Sequence, residues 1–473
     1  MTDGAFDVLI LGAGSGGYAC ALRAAQLGLS VGLVEKDRLG GTCLHVGCIP
    51  TKALLHAAEV ADLARDSSRF GIRASLEGVD MAGVNAYKDQ VVSRLFKGLT
   101  GLIKGRGITV IEGEGRLTGP HEVTVRSSVE SAETTYTGTH VVLSSGSYSR
   151  SLPGLDVDGE RVLTSEHALR LDRVPASVVV LGGGVIGCEF ASVWASFGSE
   201  VTIVEALPRL VAGEDEASSK ALERAFKKRK IQVRTGTRFH DVKVGDSSVA
   251  VTVQDVQGDA QGEQSVIEAE LLLVAVGRGP ATDGLGYDEQ GVALDRGFVL
   301  TDERCRTNLE GVYAVGDIVP GLQLAQRGFA QGIFVAEDIA GLDPSPIDEA
   351  GIPRVTYSHP EVASVGLDEA AARATYGDDQ VETVTYDLGG NGKSQILQTQ
   401  GFVKLVRRTD GPVVGVHLVG DRVGELIGEA QLIYNWEAHA DDVAPLVHAH
   451  PTQNEALGEA HLALAGKPLH SHD

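Results

Sequence analysis

A chain of 473 residues is too long for one hydrophobic core, so two to four domains are expected. Its formal net charge of −23 argues against nucleic acid and anionic membrane surfaces as partners, and no apolar run approaches the length of a membrane span. Glycine reaches 60 residues while aromatics are scarce, which suits many tight turns and close backbone approaches to ligands.

The start, Met1-Thr2-Asp3-Gly4-Ala5-Phe6-Asp7, is acidic and leads into a strand without the pattern of a secretory signal, so a cytoplasmic location is expected. Val8-Leu9-Ile10-Leu11 then runs into Gly12-Ala13-Gly14-Ser15-Gly16-Gly17, a helical stretch to Leu27, the loop residue Gly28, and a strand ending at Glu35. Next comes Gly40-Gly41-Thr42-Cys43-Leu44-His45-Val46-Gly47-Cys48-Ile49-Pro50-Thr51-Lys52. Residues 57–65 and 84–104 read as helices, and a β-rich piece follows to about Ser144.

The opening pattern then returns. Val178-Val179-Val180-Leu181 leads into Gly182-Gly183-Gly184-Val185-Ile186-Gly187, a helical stretch to Phe197, Gly198, and a strand ending at Glu205. In both copies the loop glycine follows the last motif glycine by 11 positions and the acidic residue follows it by 18. This is the βαβ dinucleotide fingerprint, complete twice. Gly12 and Gly182 make the turn, and Gly14 and Gly184 let a pyrophosphate approach backbone N–H groups. Gly17 and Gly187 pack helix on strand, and Glu35 and Glu205 accept hydrogen bonds from an adenosine ribose. Two dinucleotides are therefore expected. Residues 271–276 read as a buried strand closing the second unit, 255–264 as an exposed hairpin tip, and the tail from about Pro346 as a separate domain of short strands and helices.

Cys20, Cys43, Cys48, Cys188 and Cys305 are too few and too scattered for a structural disulfide framework. Cys43 and Cys48, five apart, can face each other across a distorted first helical turn, where the helix N-terminus would lower a thiol pKa. Zinc is the rival reading, with His45 beside the pair, although tetrahedral zinc needs further ligands and usually closer cysteines.

The thiol motif resembles the redox centre of the pyridine nucleotide–disulfide oxidoreductases, and the resemblance covers essentially the whole chain. It implies an α/β fold of two Rossmann-like dinucleotide-binding domains plus a C-terminal α+β dimerisation domain. The implied parts are an FAD-binding domain (1–150 and 276–345), an NAD-binding domain (151–275) and an interface domain (346–473), in a homodimer. It makes Cys43 the interchange thiol, Cys48 the flavin-facing thiol, and Lys52 the lysine near flavin N5. Glu189 matches the glutamate that pairs with that lysine, a helix-surface charge being the alternative. Gly311-Val312-Tyr313-Ala314-Val315-Gly316-Asp317 resembles the second flavin motif. There Asp317 meets a ribityl hydroxyl, and Leu324 and Ala325 present N–H groups to the flavin ring. Lys36, Gly41, Thr42, Gly115, Ser145 and Gly146 complete the FAD residues by resemblance, and Ile186 and Gly277 join the NAD residues. Gln326 stands where the closest patterns have His. His448-Ala449-His450-Pro451-Thr452-Gln453-Asn454-Glu455 resembles the terminal signature, giving His450 as base, Glu455 as its orienter, and His448 as a support on the same strand face.

Within the family, Glu205 favours NAD over NADP, because a carboxylate repels a 2′-phosphate and Ala206-Leu207-Pro208 adds no cation. The C-terminal end, residues 468–473, lacks the cysteine pair of the mercury-reducing branch, and Cys48 is absent from the transhydrogenase branch. What remains resembles the branch that reoxidises dihydrolipoamide. Its substrate is borne on a lipoyl carrier or acyltransferase of a 2-oxo-acid dehydrogenase or glycine-cleavage complex. A docking subunit kept mainly for assembly is the alternative from another class; the complete thiol, lysine and His–Glu set argues against it.

Overall fold

The computed structural model describes residues 4–127, 132–257 and 260–470. The chain divides into two compact units, Met1–Ala53 with Ala82–Arg150 and Gly277–Glu349, and Leu54–Met81 with Ser151–Val276 and Ala350–Asp473.

In the first unit, strand Ala5–Leu11 lies between Val31–Glu35 and Glu133–Leu143, parallel to both. Thr109–Glu112 extends the parallel run at one edge, while Glu122–Arg126 and Glu114–Gly119 continue it antiparallel at the other. Val312–Ala314 pairs with the end of Glu133–Leu143. Alternate residues of the central strand feed opposite cores, Val8 and Ile10 with Leu33 on one face, Leu9 and Leu11 with Val34 on the other. A central parallel strand covered on both faces must be apolar at every position, which is why this segment shows no alternation. Helix Ser15–Gln26 packs on helix Ala325–Ile339 through glycines. A Cβ on Gly332 would lie 2.3 Å from the carbonyl oxygen of Gly16, so only a bare backbone permits the crossing.

The second unit contains a parallel sheet ordered Gln232–Arg234, Glu200–Val204, Ser177–Leu181, Leu271–Val274, Val162–Leu163. The expected closing strand is thus interior, between two others. The expected hairpin tip at 255–264 falls where Val249–Gln257 and Ala260–Ala269 pair antiparallel, the ladder running up to Gln257 and Ala260; residues 258 and 259 lie outside the described residues. Polar residues occur in these strands because the hairpin has a solvated face. The tail folds as a five-stranded antiparallel sheet ordered Arg354–Thr356, Glu361–Gly366, Val413–Gly420, Phe402–Arg408, Val381–Asp387. Helices Val423–Asn435 and Glu455–Leu464 bury Leu426, Ala430, Leu457 and Ala460 with Val416, Leu418 and Leu405 of that sheet.

A buried ion cluster ties the two parts of this unit together. Asp215, which caps helix Glu216–Lys228, receives Lys404 Nζ at 2.9 Å, and the same ammonium meets Glu369 at 2.7 Å. Both carboxyls end below their ordinary range: burial pushes Asp215 up, but Lys404, His417 and the Ala217 N–H together outweigh it, and Lys404 is the leading cause for Glu369. Removing one partner strands a buried charge, so Lys404→Ala should cost about 3–5 kcal/mol in a denaturant titration. A cost near zero would show that water replaces the ammonium.

Candidate functional site

The two glycine fingerprints adopt the same geometry. Gly12 and Gly182 have φ of 103° and 112°, and a Cβ on either would fall 2.2–2.3 Å from the carbonyl just past the end of the neighbouring strand, Ser144 or Ala275. A Cβ on Gly17 would sit 1.8 Å from the Gly12 oxygen, and one on Gly187 would sit 1.9 Å from that of Gly182. At the middle glycines the reverse holds: nothing lies within 4 Å of a Cβ added to Gly14 or Gly184. These two residues head helices Ser15–Gln26 and Val185–Phe197 with no side-chain cap. Each site therefore offers a helix N-terminus with open space over a bare backbone, the cradle an anionic pyrophosphate requires. Both cofactor sites pass this test of fit.

Glu35 and Glu205 carry a role the sequence did not disclose. Glu35 accepts Ala13 N–H at 2.8 Å and Asp37 N–H at 2.9 Å; Glu205 accepts Gly183 N–H at 2.6 Å and Leu207 N–H at 2.7 Å. Each carboxylate thus fixes its own glycine turn while retaining lone pairs for a ribose. Lys36 is exposed beside Glu35, and Ile186 is half-buried at the start of the second helix. Arg209 donates to the Glu214 carbonyl and, at 2.9 Å, to Ser219, so its guanidinium is already engaged.

The thiols do not share one helical turn. Cys43 lies in helix Gly41–Val46, Gly47 interrupts, and Cys48 begins helix Cys48–Arg65. Neither sulfur is in a disulfide, and the two are hydrogen-bonded to each other. The Cys43 pKa is raised rather than lowered, contrary to the expectation for a helix N-terminus. The bond to Cys48 is the largest cause, followed by burial and the second sulfur's charge, with Lys52 opposing. Tyr18 shares their surroundings: burial and both sulfurs push its hydroxyl up to about 12. Gly41 packs on the fingerprint, where its Cβ would lie 2.7 Å from Gly14 Cα, and Thr42 follows it half-buried. His45 turns its Nε2 to the Leu39 carbonyl at 2.9 Å, and no group of three metal-ligating side chains occurs among the described residues.

Asp317 accepts a 2.5 Å bond from Ser147, whose hydroxyl also receives Arg278 Nε at 2.8 Å. Arg278 clamps strand Ser147–Ser149 in the first unit. Ser145 is likewise engaged structurally, donating to Ala281 O at 2.7 Å and accepting from Tyr287. Gly316 N–H is held by Gln331 at 2.8 Å, a partner that no sequence signal marks. Gly146 and Gly277 have φ of 80° and 110° with open space around them, while Gly115 lies against Leu11 and Val34. Leu324 heads helix Ala325–Ile339 without a side-chain cap.

In the second unit Glu189 is buried, its Oε1 accepting Tyr357 N–H at 3.0 Å, which excludes the surface-charge alternative. His450 Nδ1 meets Glu455 Oε1 at 2.8 Å, and Thr452 N–H donates to the other oxygen at 2.7 Å. Burial raises the Glu455 carboxyl, but the Thr452 and His450 bonds outweigh it and hold it below its ordinary range. His448 is not on a shared strand face. Residues 447–450 form no strand, His448 turns inward to Glu429, and the His450 side chain is 78% exposed.

The fold and sites define a class: a protein with two dinucleotide cradles, a dithiol beside the first, and a carboxylate-oriented histidine. The chain belongs to the pyridine nucleotide-disulphide oxidoreductases; that family matches residues 6–332, and its dimerisation domain matches residues 352–461. A dihydrolipoyl dehydrogenase of Bacillus subtilis is 40% identical over 98% of this chain and 99% of its own length. One of Chlorobaculum tepidum is 42% identical over 96% of each. The crystal structure of LpdA from Mycobacterium tuberculosis superposes with a TM-score of 0.89 at 25% identity, covering 97% of this chain and 99% of that one.

Glu205→Ala should weaken use of NAD⁺ and relax discrimination against NADP⁺, by roughly 1–3 kcal/mol in kcat/KM. An unchanged preference would remove the ribose role and leave Glu205 only its turn-fixing bonds.

Proposed function

We propose that the chain oxidises dihydrolipoamide and passes the electrons to NAD⁺, the activity for which its Bacillus and Chlorobaculum relatives are named. The observation that carries this reading is the mutually bonded Cys43–Cys48 pair beside the first cradle. When bound, FAD supplies a two-electron relay between the thiols and NAD⁺, which is the final acceptor. Gly14, Glu35 and Asp317 would hold FAD, and Gly184 and Glu205 would hold NAD.

In the oxidised protein, a substrate thiolate attacks Cys43 Sγ, the Cys43–Cys48 bond breaks, and Cys48 leaves as thiolate. The second substrate thiol displaces Cys43 from the mixed disulfide, giving cyclic lipoamide and a dithiol protein. That displacement needs a base to take the second thiol's proton, and the raised Cys43 pKa favours a protonated Cys43 in the product. His450, oriented by Glu455, is the group suited to move these protons. Its exposure, together with that of Trp436, Leu446 and Val447, supports a base that serves the thiol pair of a partner subunit across a two-fold axis. Substrate arrives as a lipoyl group on the carrier of a 2-oxo-acid dehydrogenase or glycine-cleavage complex. No described helix is long and apolar enough to cross a membrane, and the buried free thiols of Cys20, Cys188 and Cys305 suit a reducing, cytoplasmic compartment.

Steady-state assays with dihydrolipoamide, glutathione and a mycothiol-type disulfide test the substrate: only the first should support rapid nucleotide turnover. Preference for either of the others would overturn the reading. Mixing Cys43→Ser and His450→Gln chains tests assembly. Random pairing makes about half the dimers mixed, each with one intact site in trans, so activity should recover to roughly a quarter of wild type. No recovery despite subunit exchange would put His450 in cis.

A further inference from the structure

His450 and Glu455 face each other across a short turn whose flanks are both fastened to a third element. Glu429 lies on helix Val423–Asn435, which shares a core with helix Glu455–Leu464. Its Oε1 meets His448 Nε2 at 2.8 Å, and its Oε2 accepts Asn454 Nδ2 at 2.8 Å. His448 precedes the base by two residues. Asn454 is the N-cap position of helix Glu455–Leu464 and immediately precedes the orienting carboxylate. One carboxylate thus grips both sides of the segment. Gly458 makes room for this arrangement, since a Cβ there would lie 2.7 Å from His448 Nδ1. Other ties exist, Asn391 to the Thr452 carbonyl and Gln453 to the Asp421 carbonyl, but both hold the middle of the turn rather than its flanks.

We propose that Glu429 is a positioning residue for the proton-transfer step, acting through His448 and Asn454 to hold His450 against Glu455. The inference rests on the reading of His450 as base. An exposed imidazole otherwise samples many rotamers, and general-base catalysis is lost when the base leaves hydrogen-bond reach of its proton. Glu429 touches no substrate and transfers no proton itself.

The test compares Glu429→Ala, Glu429→Gln and His450→Gln in the holoenzyme, with two readouts. One is kcat for dihydrolipoamide with NAD⁺. The other is NADH oxidation by an artificial electron acceptor, which uses both nucleotide sites but not the thiol base. His450→Gln should lower the first about 10²–10⁴-fold, the range of a lost general base. Glu429→Ala should lower it by roughly tenfold, a part of that effect, in kcat rather than in KM for NAD⁺, and leave the dye reaction unchanged. Glu429→Gln, whose amide can still accept from Asn454 and bond His448, should recover to within about threefold of wild type. Full dihydrolipoamide turnover in Glu429→Ala, with His450→Gln inactive, overturns the positioning role alone. Retained activity in His450→Gln overturns the base assignment and the proposal with it. Equal loss of both reactions in Glu429→Ala marks a general structural defect and overturns the proposal too. If Glu429→Ala does not fold, His448→Ala and Asn454→Ala each remove one grip, and full turnover in both overturns it.

Discussion

Cys43 and Cys48 can meet because Gly47 interrupts what would otherwise be one helix. In a continuous α-helix, side chains five apart point in different directions, and the first thiol would face away from the second. The break ends helix Gly41–Val46 and restarts at Cys48, so the two sulfurs share a proton across it. A Cβ on Gly47 would lie 3.0 Å from the Thr42 carbonyl, so this break tolerates little bulk. The rest of the first unit supports that junction. Gly41 rests on the fingerprint at Gly14, Leu44 is buried under Gly40, and Thr51 ties the second helix back to the Gly47 carbonyl at 2.7 Å.

Sharing a proton sets the chemical division of labour. A raised Cys43 pKa favours a protonated Cys43 in the reduced pair, so in the proposed cycle its proton, like that of the second substrate thiol, needs an acceptor supplied from elsewhere. In the proposed mechanism the His450–Glu455 pair meets that need, and the Thr452 backbone N–H holds its carboxylate in place. Carboxylates recur as supports through the protein. Glu35 and Glu205 each brace the turn beside a nucleotide cradle, so in the proposed reading fold and recognition draw on the same oxygen atoms.

Much of this is legible in the sequence, because backbone requirements leave a compositional trace. Gly12, Gly14 and Gly17 are each demanded by a different contact, and the same three demands recur at Gly182, Gly184 and Gly187. Periodicity locates the helices and the buried strands. Long-range polar contacts leave no such trace. Nothing near Gln331 announces that it serves Gly316, nor does Arg278 reveal that it clamps Ser147. His448 escapes a periodicity argument for the same reason: alternation applies only to a strand, and its partner Glu429 lies on another element altogether. The thiol pKa runs against the helix-terminus expectation because the hydrogen bond to the second sulfur, burial and that sulfur's charge all raise it.

The proposed function requires that electrons from a dithiol reach the bound flavin only through Cys43 and Cys48. Anaerobic absorbance of a Cys43→Ser/Cys48→Ser double variant tests it most directly. The expected result is a yellow protein that NADH bleaches and that dihydrolipoamide leaves oxidised. Bleaching of that variant by dihydrolipoamide at the wild-type rate would contradict the claim.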